Sequence, residues 1–261
     1  TFALAHPIWA KARADQDFSQ FQDVLAKIID LNIQKAEAYG YQDCLYDALL
    51  DQFEPGMKTA EVNQVFAALK TDLVPLVQAI AAKSGAVDGA VLRQDFDPTV
   101  QFDFSIEALK SIGFDLQRGR QDKSTHPFTT SFSVNDVRVT NRFYKDAFPS
   151  SVFSALHEGG HGLYEQNIAP SLDGTLLAVG TSLGVHESQS RMWENVVGRS
   201  REFWQFYYPR LQKFFPVQLK NVSQENFYRA INKVAPSFIR VEADEVRREQ
   251  KQQDGDPLLK S

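Results

Sequence analysis

Apolar residues recur at helical spacing through the first third of the chain, in Phe18, Phe21, Leu25 and Ile28 and again from Val62 through Val65, Phe66, Leu69, Leu73, Leu76, Val77 and Ile80. A period near 3.6 gathers each set on one side of a helix, so both runs predict amphipathic helices with packing faces. Gly40 and Gly85 follow the two runs where a C-terminal cap belongs, and Pro75 predicts a kink in the second helix. Asp97-Pro98 pairs an N-cap with a first-turn proline, opening a further helix that runs to Gly113.

The period then changes. Phe128 to Val134 alternates, Asn135-Asp136 offers turn chemistry and Val137 to Phe143 alternates again with β-branched residues, which predicts a hairpin and the only clear β element. Helical patterning returns with Ser150 or Ser151 as N-cap, continues in a Leu183 to Val197 segment, and restarts at Ser223-x-x-Asn226 ahead of Phe227 and Ile231. After Glu245 the apolar period stops, predicting a solvated helix end that runs into disorder. The pattern describes a mainly α, single domain over 1–261, with a helical part (1–115), a part with the β element and further helices (116–246), where the motifs below place the active site, and a polar tail (247–261); the resemblance below makes the domain a partial one.

Composition narrows the function classes. A 261-residue chain with 43% hydrophobic and 23% charged residues has ordinary globular character. Its formal net charge of -5, with Lys and Arg scattered, argues against nucleic acid or an anionic membrane as partner, since both need a clustered basic face. Cys44 is the single cysteine, so no internal disulfide forms. The chain begins at Thr1, has no run of 18 apolar residues and shows no signal-peptide pattern, so no membrane span and a cytoplasmic setting are expected.

His157-Glu158-Gly159-Gly160-His161 matches H-E-x-x-H, and Val152, Phe153, Leu156, Leu163 and Tyr164 around it carry a helical apolar pattern. Four residues turn a helix by about 400°, so both imidazoles project from one face toward a single Zn²⁺, with Glu158 beside the attacking water. The competing reading makes His157 and His161 hydrogen-bonded core residues beside a surface glutamate. Two glycines in a helix centre cost about 1 kcal/mol each relative to alanine, so something approaches that backbone closely, either a substrate strand or a neighbouring helix. A catalytic zinc needs a third protein ligand, and Glu187, thirty residues after His157, is the choice over Glu165 and Glu194. His186 is either a hydrogen-bonding partner behind a ligand or a capping or core histidine.

Five stretches in order, His126-Pro127-Phe128, Asp136-Val-Arg138-Val-Thr140, His157-Glu-Gly-Gly-His161, His186-Glu187-Ser188-Gln189 and Ile239-Arg240-Val-Glu-Ala243-Asp244, resemble the Taq-type metallocarboxypeptidases, thermostable carboxypeptidase 1-like members of metallopeptidase family thirty-two. The resemblance runs from about Trp9 to Val246 and includes Tyr46 to Leu50 and Phe53 to Met57. It implies a largely helical, zincin-like carboxypeptidase with a small hairpin or sheet beside the H-E-x-x-H helix, a deep substrate groove, zinc or cobalt, peptide substrates with a free C-terminus, and commonly a homodimer. Carried over, His157, His161 and Glu187 bind metal and Glu158 is the catalytic base. The family's G-x-x-Q-D-x-H-W motif is absent and its members are about twice this length, so the chain is expected to be an internal fragment or a truncated product.

A free C-terminal carboxylate suits arginine's planar fork, which makes Arg240 the first candidate for substrate binding and Arg138, on the hairpin, the second. An internal ion pair, such as Arg240 with Asp244, is the alternative for both. Two other readings of the whole chain stay open: a catalytically impaired peptide-binding or interaction module, and an endo-acting oligopeptidase.

Overall fold

The computed structural model describes residues 2–234. Arg240, the Ile239 to Asp244 stretch and the polar tail lie outside the described residues, as does the helix end expected after Glu245.

The chain divides into two compact units. The first, residues 1–68 with 182–184, holds α1 (Phe2–Asp15), α2 (Ser19–Tyr39), α3 (Leu45–Leu50) and the start of α4 (Thr59–Ala81). α2 packs against α1 and α3, and Gly40 closes it at φ 79°, donating its N–H to Ala36 and Glu37 carbonyls as the sequence predicts. Asp47 of α3 ties α4 down by accepting from Thr59 N–H at 2.7 Å and from the Thr59 hydroxyl. In the same unit Leu183 N–H donates to Phe53 O at 2.8 Å, and the Glu54 carboxylate accepts from Gly184 N–H.

α4 departs from expectation in its packing face and in its C-terminal end. Its apolar side is not a buried packing face: no residue in it is buried, with Val65 63% and Leu76 56% exposed. Periodicity marks an apolar face without saying what covers it. The helix contains Pro75, as the sequence placed it, but ends at Ala81, so Gly85 falls in a separate 3₁₀ turn, Ser84–Ala86, rather than at the cap. By length and composition α4 alone among the described helices passes for a membrane span, although it lacks an uninterrupted apolar run and carries Glu61, Lys70 and Asp72.

The second unit, residues 69–181 and 185–261, contains α5 (Pro98–Ser111), β1 (Gly119–Lys123), β2 (Thr129–Ser133), β3 (Asp136–Asn141), α6 (Phe148–Gln166), α7 (Leu183–Arg191, from Val185 on), a π-helical turn (Met192–Val197), α8 (Arg201–Phe214) and α9 (Gln224–Ile231). Asp97 caps α5 by accepting from Thr99 N–H, and Ser223 caps α9 by accepting from Asn226 N–H, both as predicted. α6 begins earlier than expected, with Ala147 as N-cap, because Pro149 already has the φ a first turn needs; Ser151 is instead buried and hydrogen-bonded to Gln101.

The main core forms where α5, α6, α8 and α9 meet, around Phe104, Phe148, Leu156, Trp204, Leu211 and Phe227. A smaller core of Leu109, Phe114, Val137 and Val139 joins the helices to a three-stranded sheet of order β1-β3-β2. The predicted hairpin is β2 antiparallel to β3, and β1, parallel to β3, is an addition to it. Register places Thr129 opposite Val139 and Ser131 opposite Val137, so these four share the face toward α6, while Thr130 and Arg138 share the other.

Candidate metal centre

α6 buries Val152, Phe153 and Leu156 in the core and carries His157 and His161, one turn apart, at the edge of that face, with their ring centroids 5.0 Å apart. The glycines settle which neighbour needed the space. A Cβ on Gly160 would lie 2.7 Å from Gln189 O and from Ser190 Cα, so α7 crosses α6 in backbone contact at this residue. A Cβ on Gly159 would meet Leu109 of α5 and Ile112, its C-cap, at 2.7 and 2.8 Å. Both glycines thus answer to neighbouring helices.

The crossing carries Glu187 to the histidines. Glu187 Oε2 stands 3.5 Å from His157 Nε2 and 3.3 Å from His161 Nε2, and the three donor atoms lie within 4.8 Å of one another. Ligands at about 2.0–2.1 Å on tetrahedral directions are about 3.4 Å apart, so the carboxylate-to-imidazole spacings fit one divalent ion. Among the described residues this is the group of three so arranged. Arg191 Nε, at 3.0 Å from Oε1, and the Ser190 hydroxyl, at 3.0 Å from Oε2, hold the Glu187 carboxylate. Burial opposes its charge, but His161, His157, Arg191 and Ser190 outweigh that and bring its pKa down to about 2.

Glu158, next in sequence to His157, reaches toward β2. Thr129 Oγ1 lies 2.7 Å from Glu158 Oε2 and 3.0 Å from the Glu158 carbonyl oxygen. Burial lifts its carboxyl above the ordinary range, against the Thr129 hydrogen bond and the nearby histidines.

Glu165 and Glu194, weighed in the sequence as competing ligands, are engaged elsewhere. Glu194 Oε2 sits 2.8 Å from His157 Nδ1. Burial resists a charge on His157, while Glu194, Glu158 and Glu187 overcome it and raise the imidazole's pKa. His161 Nδ1 meets His186 Nδ1 at 2.6 Å, and His186 Nε2 meets Glu165 Oε1 at 2.7 Å. The Ser131 hydroxyl donates to the other Glu165 oxygen at 2.7 Å, and the His186 bond is the main cause that lowers the Glu165 pKa. His186 thus stands hydrogen-bonded between His161 and Glu165.

Arg138 is not brought to this group. It lies on the sheet face away from α6, where Nε and Nη2 grip Asp136 at 2.8 Å each and the guanidinium rests 4.9 Å from the Phe132 ring centroid. The internal ion pair is what the structure shows for it.

Two histidines one helical turn apart, a glutamate from the next helix and a buried glutamate beside the first histidine define the class of helical metallopeptidases with a two-histidine, one-glutamate centre. The family model described as carboxypeptidase Taq (M32) metallopeptidase matches residues 2–249, and the chain belongs to that family. It is 43% identical over 242 residues to carboxypeptidase 1 of Bacillus subtilis, covering 93% of this chain and 48% of the relative. To thermostable carboxypeptidase 1 of Thermus thermophilus it is 42% identical over 254 residues, covering 93% and 49%. The crystal structure of the M32 carboxypeptidase from Deinococcus radiodurans superposes with a TM-score of 0.84 at 40% identity, over 94% of this chain and 49% of that one. The chain spans about half the length of the curated relatives it matches.

Proposed function

We propose that this chain supplies the metal centre of a zinc-dependent carboxypeptidase that releases C-terminal amino acids from peptides, with cobalt as an alternative metal. The observation that carries the reading is Glu187 Oε2 at 3.5 and 3.3 Å from the two Nε2 atoms of α6, with buried Glu158 next in sequence to His157. His157, His161 and Glu187 hold the ion, which when bound lowers the pKa of water and polarises a carbonyl. Glu158 takes a proton from the attacking water as the C–O bond forms, then delivers it to the amide nitrogen as the C–N bond breaks. Thr129 orients Glu158 for both transfers through the 2.7 Å hydrogen bond.

Recognition of the substrate's free carboxylate falls to Arg240, with Arg138 second because its guanidinium is already committed to Asp136. The scattered basic residues and net charge of -5 favour peptides over nucleic acid or membrane, and a single cysteine favours the cytoplasm. A homodimer is the assembly that the family resemblance suggests.

The test is metal content by mass spectrometry together with release of the last residue from a blocked dipeptide. About one zinc or cobalt per chain with release supports the proposal, and equal cleavage of a C-terminally amidated peptide would overturn the exo-acting specificity. Metal without release would locate the missing chemistry in sequence beyond this chain.

A further inference from the structure

Glu194 stands outside the group of three, on the one π-helical stretch among the described residues. After Arg191 the helix widens, and Gly198 N–H reaches back five residues to Trp193 O at 2.8 Å. The same Gly198 seats the turn against α6: a Cβ there would lie 2.5 Å from Leu156 Cδ1. π turns are rare and concentrate at functional sites, so this one needs a use. Its visible product is the 2.8 Å contact from Glu194 Oε2 to His157 Nδ1. Arg191 Nη1 at 3.6 Å and Arg199 Nη2 at 3.8 Å flank the carboxylate and help hold it there.

We infer that Glu194 is a positioning residue that sets metal affinity by fixing the ring and tautomer of His157. An ionised carboxylate only accepts hydrogen bonds, so His157 Nδ1 carries the hydrogen and Nε2 keeps its lone pair. Nε2 is the atom 3.5 Å from Glu187 Oε2, so the lone pair is aimed into the metal group. The hydrogen bond also makes the imidazole a more basic ligand. Arginine pairing alone would leave the π turn and the His157 contact without a purpose. The inference rests on the metal-centre reading proposed above.

The test compares zinc affinity of the whole chain, by competition with a chromogenic chelator, in wild type, Glu194→Ala and Glu194→Gln, alongside the visible absorption of the cobalt-loaded proteins. Glu194→Ala is expected to weaken zinc by about 10- to 100-fold and shift the cobalt bands, while Glu194→Gln, whose amide oxygen still accepts from Nδ1, recovers most of the affinity. A wild type that takes up one zinc while both variants bind equally well overturns the inference. A wild type that takes up no zinc overturns the metal centre itself. Should Glu194→Ala not fold, Glu194→Leu, which fills the space without an acceptor for Nδ1, replaces it: weakened zinc and shifted cobalt bands support the role, and wild-type affinity with unchanged bands refutes it.

Discussion

His161 and His186 face each other Nδ1 to Nδ1 across 2.6 Å, a contact that only one hydrogen can occupy. Glu165, 2.7 Å from His186 Nε2, decides the owner: a carboxylate accepts, so His186 carries hydrogen on Nε2 and its neutral Nδ1 accepts from His161. His161 is thereby left with its Nε2 lone pair free for a metal. Replacing His186 with Phe keeps a ring of similar size but removes both bonds, and should weaken zinc about 10-fold or more. Glu165→Gln, which keeps an acceptor, should cost less. Chelator competition on the two variants checks the order.

Glu158→Gln keeps the shape and removes the base proposed for the reaction. Metal content should stay near that of the unaltered chain while release of a C-terminal residue from a blocked dipeptide falls by at least about 100-fold, the usual worth of a general base. His157→Ala or Glu187→Ala should lose the metal. A Glu158→Gln variant that still turns over would remove Glu158 from the chemistry.

The two glycines in the centre of α6 should respond differently to alanine. At Gly160 the new methyl meets α7 backbone at 2.7 Å, which cannot step aside without carrying Glu187 with it. Gly160→Ala is expected to destabilise by about 1–3 kcal/mol and to weaken metal binding. At Gly159 the obstacles are the ends of the Leu109 and Ile112 side chains, so the loss should be smaller and metal affinity nearly kept. Urea denaturation with zinc titration separates the two.

Asp47 predicts an acid-sensitive step in the first unit. The Thr59 hydroxyl and then its N–H hold the Asp47 carboxyl below its ordinary 3.8. A depressed native pKa contributes stability that is fully present above the unfolded value and is lost as pH falls through the folded one. Wild type should therefore melt above Asp47→Asn at neutral pH, with the gap closing only below 3.8. A gap unchanged down to acid pH would mean that the two hydrogen bonds do not depend on charge.

Much of this was readable from the chain alone where one residue type has one local use. Asp97 ahead of Pro98, Ser223 three before Asn226 and Gly40 after a helical run each cap a helix as their chemistry dictates. The H-E-x-x-H spacing put two imidazoles on one side of α6, and the fold brings Glu187 beside them. β1 was not readable: Gly-Arg-Gln-Asp-Lys has no apolar alternation, and only its pairing with β3 makes it a strand. The π turn leaves no mark in sequence, because Met192 to Val197 patterns like any helix. Glu165 and Glu194 were visible as carboxylates, but which nitrogen each serves depends on how α7 and the turn after it meet α6.

Gly159, Gly160 and Gly162 leave α6 flush against α5, α7 and the small core beside the sheet, the last through Phe114 and Val139, 2.6 and 3.3 Å from where a Gly162 methyl would be. A helix keyed into neighbours on three sides cannot turn about its own axis. Its two imidazoles, fixed to the same shaft, can then be misaligned only together. Damage at any of the three contacts should swing both away from Glu187 at once, so the aim of this centre is kept by side chains that are not there.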